Sequence, residues 1–180
     1  MKKRIALMLA IVLVLIVSLS LPACGNIAEK VVGKAVEKAV ESAAGGNVDI
    51  NTEDGEVNIS TDQGEVQSGG NATIPEGWPT EAPPYPDIKI TYSAKTKNDN
   101  GTTGFALFAE VSKGTVKDVY DWYKSKMSGW ETSEDNFSTT DGNDSFGLSL
   151  KNNKYEALIM AGSDGTVINF TMSIVESSGE

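Results

Sequence analysis

Apolar residues alternate with polar ones through most of the second half of the chain, and this period of two restricts the fold more than any other feature. It is clearest where Ile168, Phe170, Met172 and Ile174 are separated by single residues. Side chains of a strand point alternately to its two faces, so this segment predicts a half-buried strand. Five further segments carry the same signal, near residues 88–92, 105–111, 130–137, 146–150 and 155–161.

The segment between the second and third of these strands has helical spacing instead. Apolar residues recur there at intervals of three and four, at Val116, Val119, Tyr120, Tyr123 and Met127. Thr115 and Asp118 have the spacing of a helix capping box. The order β-β-α-β-β-β-β therefore predicts a two-layer α+β domain, with one helix packed on a mainly antiparallel sheet. Short turns favour an antiparallel meander for the last four strands.

Two smaller elements, a short helix and a small β-hairpin region, are expected before this domain. Residues 26–43 have an amphipathic pattern, with a stripe made of Ile27, Val31, Ala35, Val36, Ala39, Val40 and Ala43. Such a helix could lie on a membrane, pack on the domain or pair with another helix; its low apolar bulk favours a simple spacer. A nine-residue repeat follows, in which the sequence of residues 48–56 recurs in residues 57–65, and its Asp-Gly step predicts a hairpin.

A proline-rich segment separates the repeat from the predicted domain. Residues 74–86 hold five of the six prolines. They predict an extended, stiff lead-in that lays Trp78 and Tyr85 against the domain. The expected organisation is therefore a signal segment at 1–23, an anchor and helix at 24–46, the acidic repeat and linker at 47–72, and the lead-in with its α+β domain at 73–180.

The first 25 residues have the layout of an export signal. A basic start, Met1-Lys-Lys-Arg4, precedes an apolar run over 5–17, and the run leads to Leu21-Pro-Ala-Cys-Gly25. This last stretch resembles the lipobox of bacterial lipoproteins. The resemblance implies cleavage before Cys24, a diacylglycerol on its thiol, and retention on the extracytoplasmic face of the cell membrane. An uncleaved membrane helix is less favoured, because the apolar run is short for a span and the only cysteine lies at the lipobox position.

The chain as a whole is similar to a group of uncharacterised small lipoproteins, mostly from Gram-positive bacteria. The resemblance rests on the lead-in Ile74-Pro-Glu-Gly-Trp-Pro79, the helix segment 119–124, the pair Gly129-Trp130 and the acidic repeat at 48–66. It implies a lipid-anchored envelope protein. It brings no established activity and no catalytic residue with it.

Charge and composition exclude several classes of function. Loss of residues 1–23 takes three of the 15 basic residues and none of the 25 acidic ones, so 12 basic and 25 acidic residues leave a net charge of -13. Such a surface repels nucleic acid. Histidine is absent, which removes the usual general base and zinc ligand. The acidic repeat lacks the glycine core of calcium-binding nonapeptides. We therefore expect no metal, no cofactor and no enzymatic activity.

Two functional hypotheses remain open at this level. In the first, the chain is a non-enzymatic binding module for an envelope protein or a wall glycan. Its binding surface would be Trp78, Tyr85 and Trp122, since Trp122 falls off the helix stripe and exposed tryptophans are enriched at recognition sites. The alternative for these rings is that they only cover the domain. In the second hypothesis, the chain is a cell-wall hydrolase that uses two carboxylates. The acidic candidates for that role are Glu110, Asp118, Asp121, Glu131 and Glu156.

Overall fold

The computed structural model describes residues 47–51, 56–61, 63–98 and 101–177. The predicted signal peptide over 1–23, Cys24 and the predicted helix over 26–43 lie outside these residues. Within the described part of the chain, no helix is both long enough and apolar enough to cross a membrane.

The described residues contain nine strands, and all nine belong to one antiparallel sheet. The strands are β1 Asn47–Asn51, β2 Glu56–Thr61, β3 Gly64–Ser68, β4 Ile88–Lys97, β5 Thr103–Val111, β6 Glu131–Thr140, β7 Asn143–Lys151, β8 Tyr155–Ser163 and β9 Ile168–Glu176. Their order in space is β1-β2-β3-β4-β5-β9-β8-β7-β6. The predicted antiparallel meander of the last four strands is confirmed. The meander turns back towards β5, so that β9 pairs with β5 in the middle of the sheet.

A single helix in the described residues, α1 (Val116–Lys126), connects β5 to the distant edge strand β6. The predicted capping box is present: the Thr115 hydroxyl accepts from the Asp118 N–H, and the Asp118 carboxylate accepts from the Thr115 N–H at 2.8 Å. The helix buries Val116, Val119 and Tyr123. It lies over β7 and β8, which its connection must cross.

The core lies on the face of the sheet that α1 covers, here called the core face. Its sheet residues are Phe105, Leu107, Ala109, Phe146, Leu148, Leu150, Ala157, Ile159, Ala161, Phe170, Met172 and Ile174. Tyr123 of α1 stacks on Phe170, with ring centroids 5.9 Å apart and planes 7° from parallel. The Tyr123 hydroxyl also lies 3.4 Å from the Met172 sulfur. The helix and the sheet therefore share one apolar interior.

The proline-rich lead-in covers another part of the same face. The Trp78 indole N–H donates to the Ala82 carbonyl at 2.8 Å, which folds the lead-in on itself. Trp78 meets Phe105 edge to face at 5.7 Å, and Ala82 is fully buried. The Tyr123 hydroxyl donates to the Pro83 carbonyl at 3.3 Å, so the lead-in and α1 are joined as well. The core face is thus closed by the lead-in and α1 together.

The expected two-layer α+β class is wrong, because the described chain is β-rich with a single short helix. Eleven helical residues span about 16 Å, whereas nine strands extend about 38 Å across the sheet. One such helix cannot form a second layer over the sheet. The repeat is also not a separate hairpin region in front of the domain: β3 pairs with β4, so its strands continue the main sheet.

Gly64 is the point at which the repeat meets β4. It has a φ of +142°, and a Cβ built on it would lie 2.0 Å from the carbonyl oxygen of Lys95. Such a separation is far inside van der Waals contact, so only glycine allows β3 to start at this register. The glycine of the second repeat unit therefore has a structural function where β3 meets β4.

Candidate interaction surface

The side of the sheet opposite the core face, here called the outer face, carries large apolar side chains that solvent reaches. On β5, Leu107 is fully buried on the core face, whereas Phe108, the next residue, is 47% exposed on the outer face. Leu158, Met160 and Val175 are likewise exposed, on β8 and β9. We call Phe108, Leu158, Met160 and Val175 the apolar patch.

The strand register brings the patch together across three neighbouring strands. Phe108 is opposite Thr171 of β9, and Thr171 is opposite Met160 of β8. Leu158 is opposite Ser173 in the adjacent row. Thr171 and Ser173 of the central strand β9 have short side chains, so the larger groups of β5 and β8 stand on either side of them, and Val175 continues the patch along β9. The result is an exposed group of apolar side chains on three paired strands.

Phe108 makes an aromatic contact with the neighbouring strand β4. Tyr92 of β4 meets it edge to face, with ring centroids 5.2 Å apart and planes at 74°. Burial raises the pKa of the Tyr92 hydroxyl above its ordinary value. Tyr92 therefore supports the patch from its β4 side as a neutral, partly buried ring.

A shallow hollow of about 440 Å³ adjoins the patch at its other end. Leu158, Val175, Ser149 and Ser173 contribute to its walls, together with a row of charged side chains. That row is Glu131 opposite Lys151, and Lys151 opposite Glu156. Lys151 and Glu156 form an ion pair at 2.9 Å, and both side chains are more than half exposed. The hollow therefore gives the apolar patch a polar rim.

The three aromatic residues proposed from sequence as a binding surface lie on the core side of the sheet. Tyr85 is buried, at 8% exposure, and meets Trp122 edge to face at 5.5 Å. Trp122 also meets Tyr123 at 4.7 Å, and the Lys126 ammonium lies 5.8 Å from the centre of its ring. Trp78 packs on Phe105 and does not join the other two. Each of the three rings thus contacts other groups of the same chain, which cover part of its surface.

The acidic candidates are dispersed, and most have structural partners. Asp118 caps α1, and hydrogen bonds from Thr115 hold the pKa of its carboxyl below the ordinary value. Asp121 pairs with Lys117 one turn away on α1 at 2.7 Å. Glu110 lies opposite Asn169, near the start of β9, whereas the hollow lies near its end. Only Glu131 and Glu156 lie together in the hollow.

Another acidic residue, Asp135, joins α1 to the edge strand β6. The Asp135 carboxylate accepts from the Lys124 ammonium at 2.6 Å and from the Tyr120 hydroxyl at 2.8 Å. These two hydrogen bonds lower the pKa of the Asp135 carboxyl. The site fixes the outermost strand of the meander to the helix, which is a structural function.

Comparison with known proteins gives no family for the chain. It matches no protein-family model and no curated protein sequence. The similarity to small lipoproteins therefore stays a prediction. In the described ranges, no group of three or more acidic, cysteine or histidine side chains is arranged to hold a metal ion.

The apolar patch was missed from the sequence because the search for binding residues followed the tryptophans. A usable signal was nevertheless present. The segments 105–109 and 157–161 are apolar at consecutive positions, so both faces of β5 and β8 must be apolar. One of those faces fills the core, and the other is the patch.

Proposed function

We propose that the protein is a lipid-anchored module of the cell envelope that binds another protein through the apolar patch on its outer face. The observation that carries the proposal is the clustering of Phe108, Leu158, Met160 and Val175 on one face, each with more than a third of its surface exposed. A group of exposed apolar side chains on one face of a sheet favours an interaction site there. Phe and Met are also among the residue types enriched at interfaces.

The shape of the surface favours a protein over a glycan as the partner. A sugar ring stacks on the open face of an aromatic ring, and Trp78, Tyr85 and Trp122 already use ring surface within the chain. The patch, in contrast, is broad, apolar and mounted on paired strands, with serine, threonine and charged residues around it. A complementary apolar surface of a second protein would bury such a patch and satisfy its polar rim.

The anchor in this proposal is the lipid on Cys24. The lipobox-like stretch 21–25 and its position after a basic, apolar export signal support this assignment. In cell fractionation, the wild-type chain should sediment with membranes, and Cys24→Ser should remain uncleaved or appear in the soluble or secreted fraction. Incorporation of a labelled fatty acid into the wild type and not into Cys24→Ser would identify the modification. Equal label in both chains would contradict it.

The binding proposal is tested by in-cell cross-linking of the full lipoprotein, followed by capture and quantitative mass spectrometry. Met160→Asp places a charge in the patch, and Phe137→Asp places the same charge on an exposed apolar residue outside it; the two side chains are 41% and 38% exposed. We expect one partner to be enriched with the wild type and with Phe137→Asp, and lost with Met160→Asp. Equal loss or equal retention in both variants would contradict a role of the patch.

The wall-hydrolase alternative rests on Glu131 and Glu156 in the hollow. They lie two strand spacings apart in one row, about 10 Å between Cα atoms, and an inverting glycosidase needs its two carboxyl groups about 6.5–9.5 Å apart. Lys151 stands between them in the row and pairs with Glu156, so that carboxylate already has a cationic partner within the chain. We expect no release of soluble fragments from purified cell wall. Release that Glu131→Gln and Glu156→Gln both abolish would establish the enzyme instead.

A further inference from the structure

A row of short side chains runs along β7 on the outer face, between the edge strand β6 and the apolar residues of β8. The row consists of Ser145, Gly147 and Ser149, which alternate along β7 with residues buried in the core. Glu134 of β6 is opposite Ser149, and Ser149 is opposite Leu158 of β8. Longer side chains therefore stand on both sides of a low strand. We call the surface above Ser145, Gly147 and Ser149 the trough, and the hollow is its end near Ser149.

Gly147 lies in the middle of the trough, opposite Asn136 on one side and Met160 on the other. A Cβ built on Gly147 would meet no other group within 4 Å. Glycine has no side chain to pack and weakens the interior of a strand, and it often marks a position that a ligand or another backbone approaches closely. The trough is therefore open at Gly147, where a partner can reach the backbone of β7.

The border of the trough towards β6 and the hollow is acidic. It is formed by Glu131, Glu134 and Glu156, with Lys151 between Glu131 and Glu156 in one row. Lys151 pairs with Glu156 at 2.9 Å. Glu134 accepts a hydrogen bond at 2.7 Å from the Asn136 amide, a neutral donor that leaves its charge in place. Three glutamates thus stand against one lysine, and this border attracts a cation and repels a second acidic surface.

The border towards β8 is apolar. Leu158 and Met160 are 39% and 41% exposed, and they belong to the apolar patch. Since β7 lies between them, β6 and β8 are two strand spacings apart, about 10 Å, which is the width of a single helix. One segment of a partner can therefore touch the acidic border with one side and the apolar border with the other.

We propose that the partner contributes a segment with a basic side and an apolar side, and that this segment lies along β7 in the trough. Its Lys or Arg side chains face Glu131 and Glu134, and its apolar side chains lie on Leu158 and Met160. The inference rests on the proposed function, because it names the chemistry of the protein that the apolar patch binds. The net charge of -10 disfavours a second copy of this chain in the same place.

Photo-cross-linking of the full lipoprotein in cells tests the trough with two pairs of matched variants. A photoreactive amino acid replaces Met160 in every chain, and the yield of the cross-linked species is measured. Glu134→Lys reverses a charge on the acidic border, and Glu76→Lys reverses the charge of another exposed glutamate, on the lead-in. Gly147→Val fills the trough, and Gly70→Val adds the same side chain at another glycine whose Cβ would meet nothing within 4 Å.

We expect Glu134→Lys and Gly147→Val each to lower the yield at least about tenfold, and the two controls to leave it unchanged. Gly147→Val should still fold, because its backbone is that of an ordinary strand and its Cβ has room. Peptide mapping of the wild-type adduct should find Lys or Arg beside the cross-linked position of the partner. Replacing that cation by Glu should restore the cross-link to Glu134→Lys.

Two results would overturn the inference and leave the proposed function standing. The first is a wild-type cross-link whose yield Glu134→Lys and Gly147→Val do not change. The second is an adduct whose partner segment is acidic or comes from a second copy of this chain. Absence of any cross-link from position 160 in the wild-type background, with the protein present at the membrane, would overturn the proposed function and this inference together.

Discussion

Tyr92 and Phe108 meet edge to face on the outer side of the sheet, 5.2 Å between ring centroids, and Phe108 still exposes almost half of its surface. An aromatic residue held this firmly by a neighbouring ring, and left open to solvent, is positioned without contributing to the core. Phe108 and Leu107, adjacent in sequence, therefore separate the two faces of the sheet: one residue stabilises the fold, and the other is available to a partner.

The two faces of β5 should respond differently to truncation. Leu107→Ala removes a fully buried side chain, and we expect it to lower the free energy of unfolding by about 2–5 kcal/mol. Phe108→Ala removes a half-exposed ring and should cost less than about 1.5 kcal/mol, mainly through its contact with Tyr92. Denaturant unfolding of the folded chain measures both. Equal costs would mean that the outer face around Phe108 is as well covered as the core.

The two glycines Gly64 and Gly70 offer a matched pair for the junction between the repeat and the main sheet. Gly64→Ala forces a Cβ against the Lys95 carbonyl at a positive φ, and we expect a loss of about 2 kcal/mol or more. A Cβ on Gly70 would meet nothing within 4 Å, so Gly70→Ala should change stability by less than about 0.5 kcal/mol. Hydrogen exchange of the β3 amides should rise only in Gly64→Ala. Similar exchange in both variants would place the junction elsewhere.

Stability in acid should depend on the Asp135 site between α1 and β6. Hydrogen bonds from Lys124 and Tyr120 lower the pKa of Asp135 below its ordinary 3.8. A carboxyl with a lowered folded-state pKa contributes stability that is complete above the unfolded value and is lost as pH falls through the folded value. Asp135→Asn should therefore lose less stability than the wild type between about pH 5 and about pH 2. Lys124→Met should behave in the same way, and an unchanged acid response in both would refute the coupling.

Stability in alkali should depend on Tyr123. Burial raises the pKa of its hydroxyl well above the ordinary value of 10. The folded state thus favours the protonated phenol, and its contribution is complete below pH 10 and declines as pH rises towards the folded value. Tyr123→Phe cannot ionise, so its free energy of unfolding should fall less steeply above about pH 10, by up to about 1.4 kcal/mol per pH unit. Parallel slopes for the two chains would show that Tyr123 is not buried in this way.

The strands of the second half could be predicted from sequence because their signal is local. Alternation through Ile168, Phe170, Met172 and Ile174 depends only on which side chains face the core, and that pattern is written along the segment itself. The pairing of β3 with β4 carries no such signal. The two strands are joined through the proline-rich segment, and their contact depends on a close approach at Gly64 that only the folded chain creates. The fold class was therefore wrong although most of its strands were found.

The candidate site was missed for a related reason. Trp122 lies off the helix stripe, which predicts partial exposure, and it is partly exposed in the structure; the lead-in nevertheless returns to the core face and places Tyr85 against it. Such a contact between a helix and a distant loop cannot be seen in a local pattern. Leu158 and Met160 were visible as apolar residues at positions that alternation assigns to the outer side. Together with Ile159 they make a run of consecutive apolar residues, which places apolar side chains on both faces of the strand and would have indicated the patch.

The most direct test of the proposed function is photo-cross-linking in living cells from single positions on the two sides of the molecule. A photoreactive amino acid replaces Met160 in the patch or Phe137 on β6, two apolar residues with similar exposure. We predict a discrete cross-linked species from position 160, sensitive to Leu158→Asp, and none from position 137. Cross-links of equal yield from both positions, or none from position 160 while the protein is present at the membrane, would contradict the claim that the outer face binds a partner.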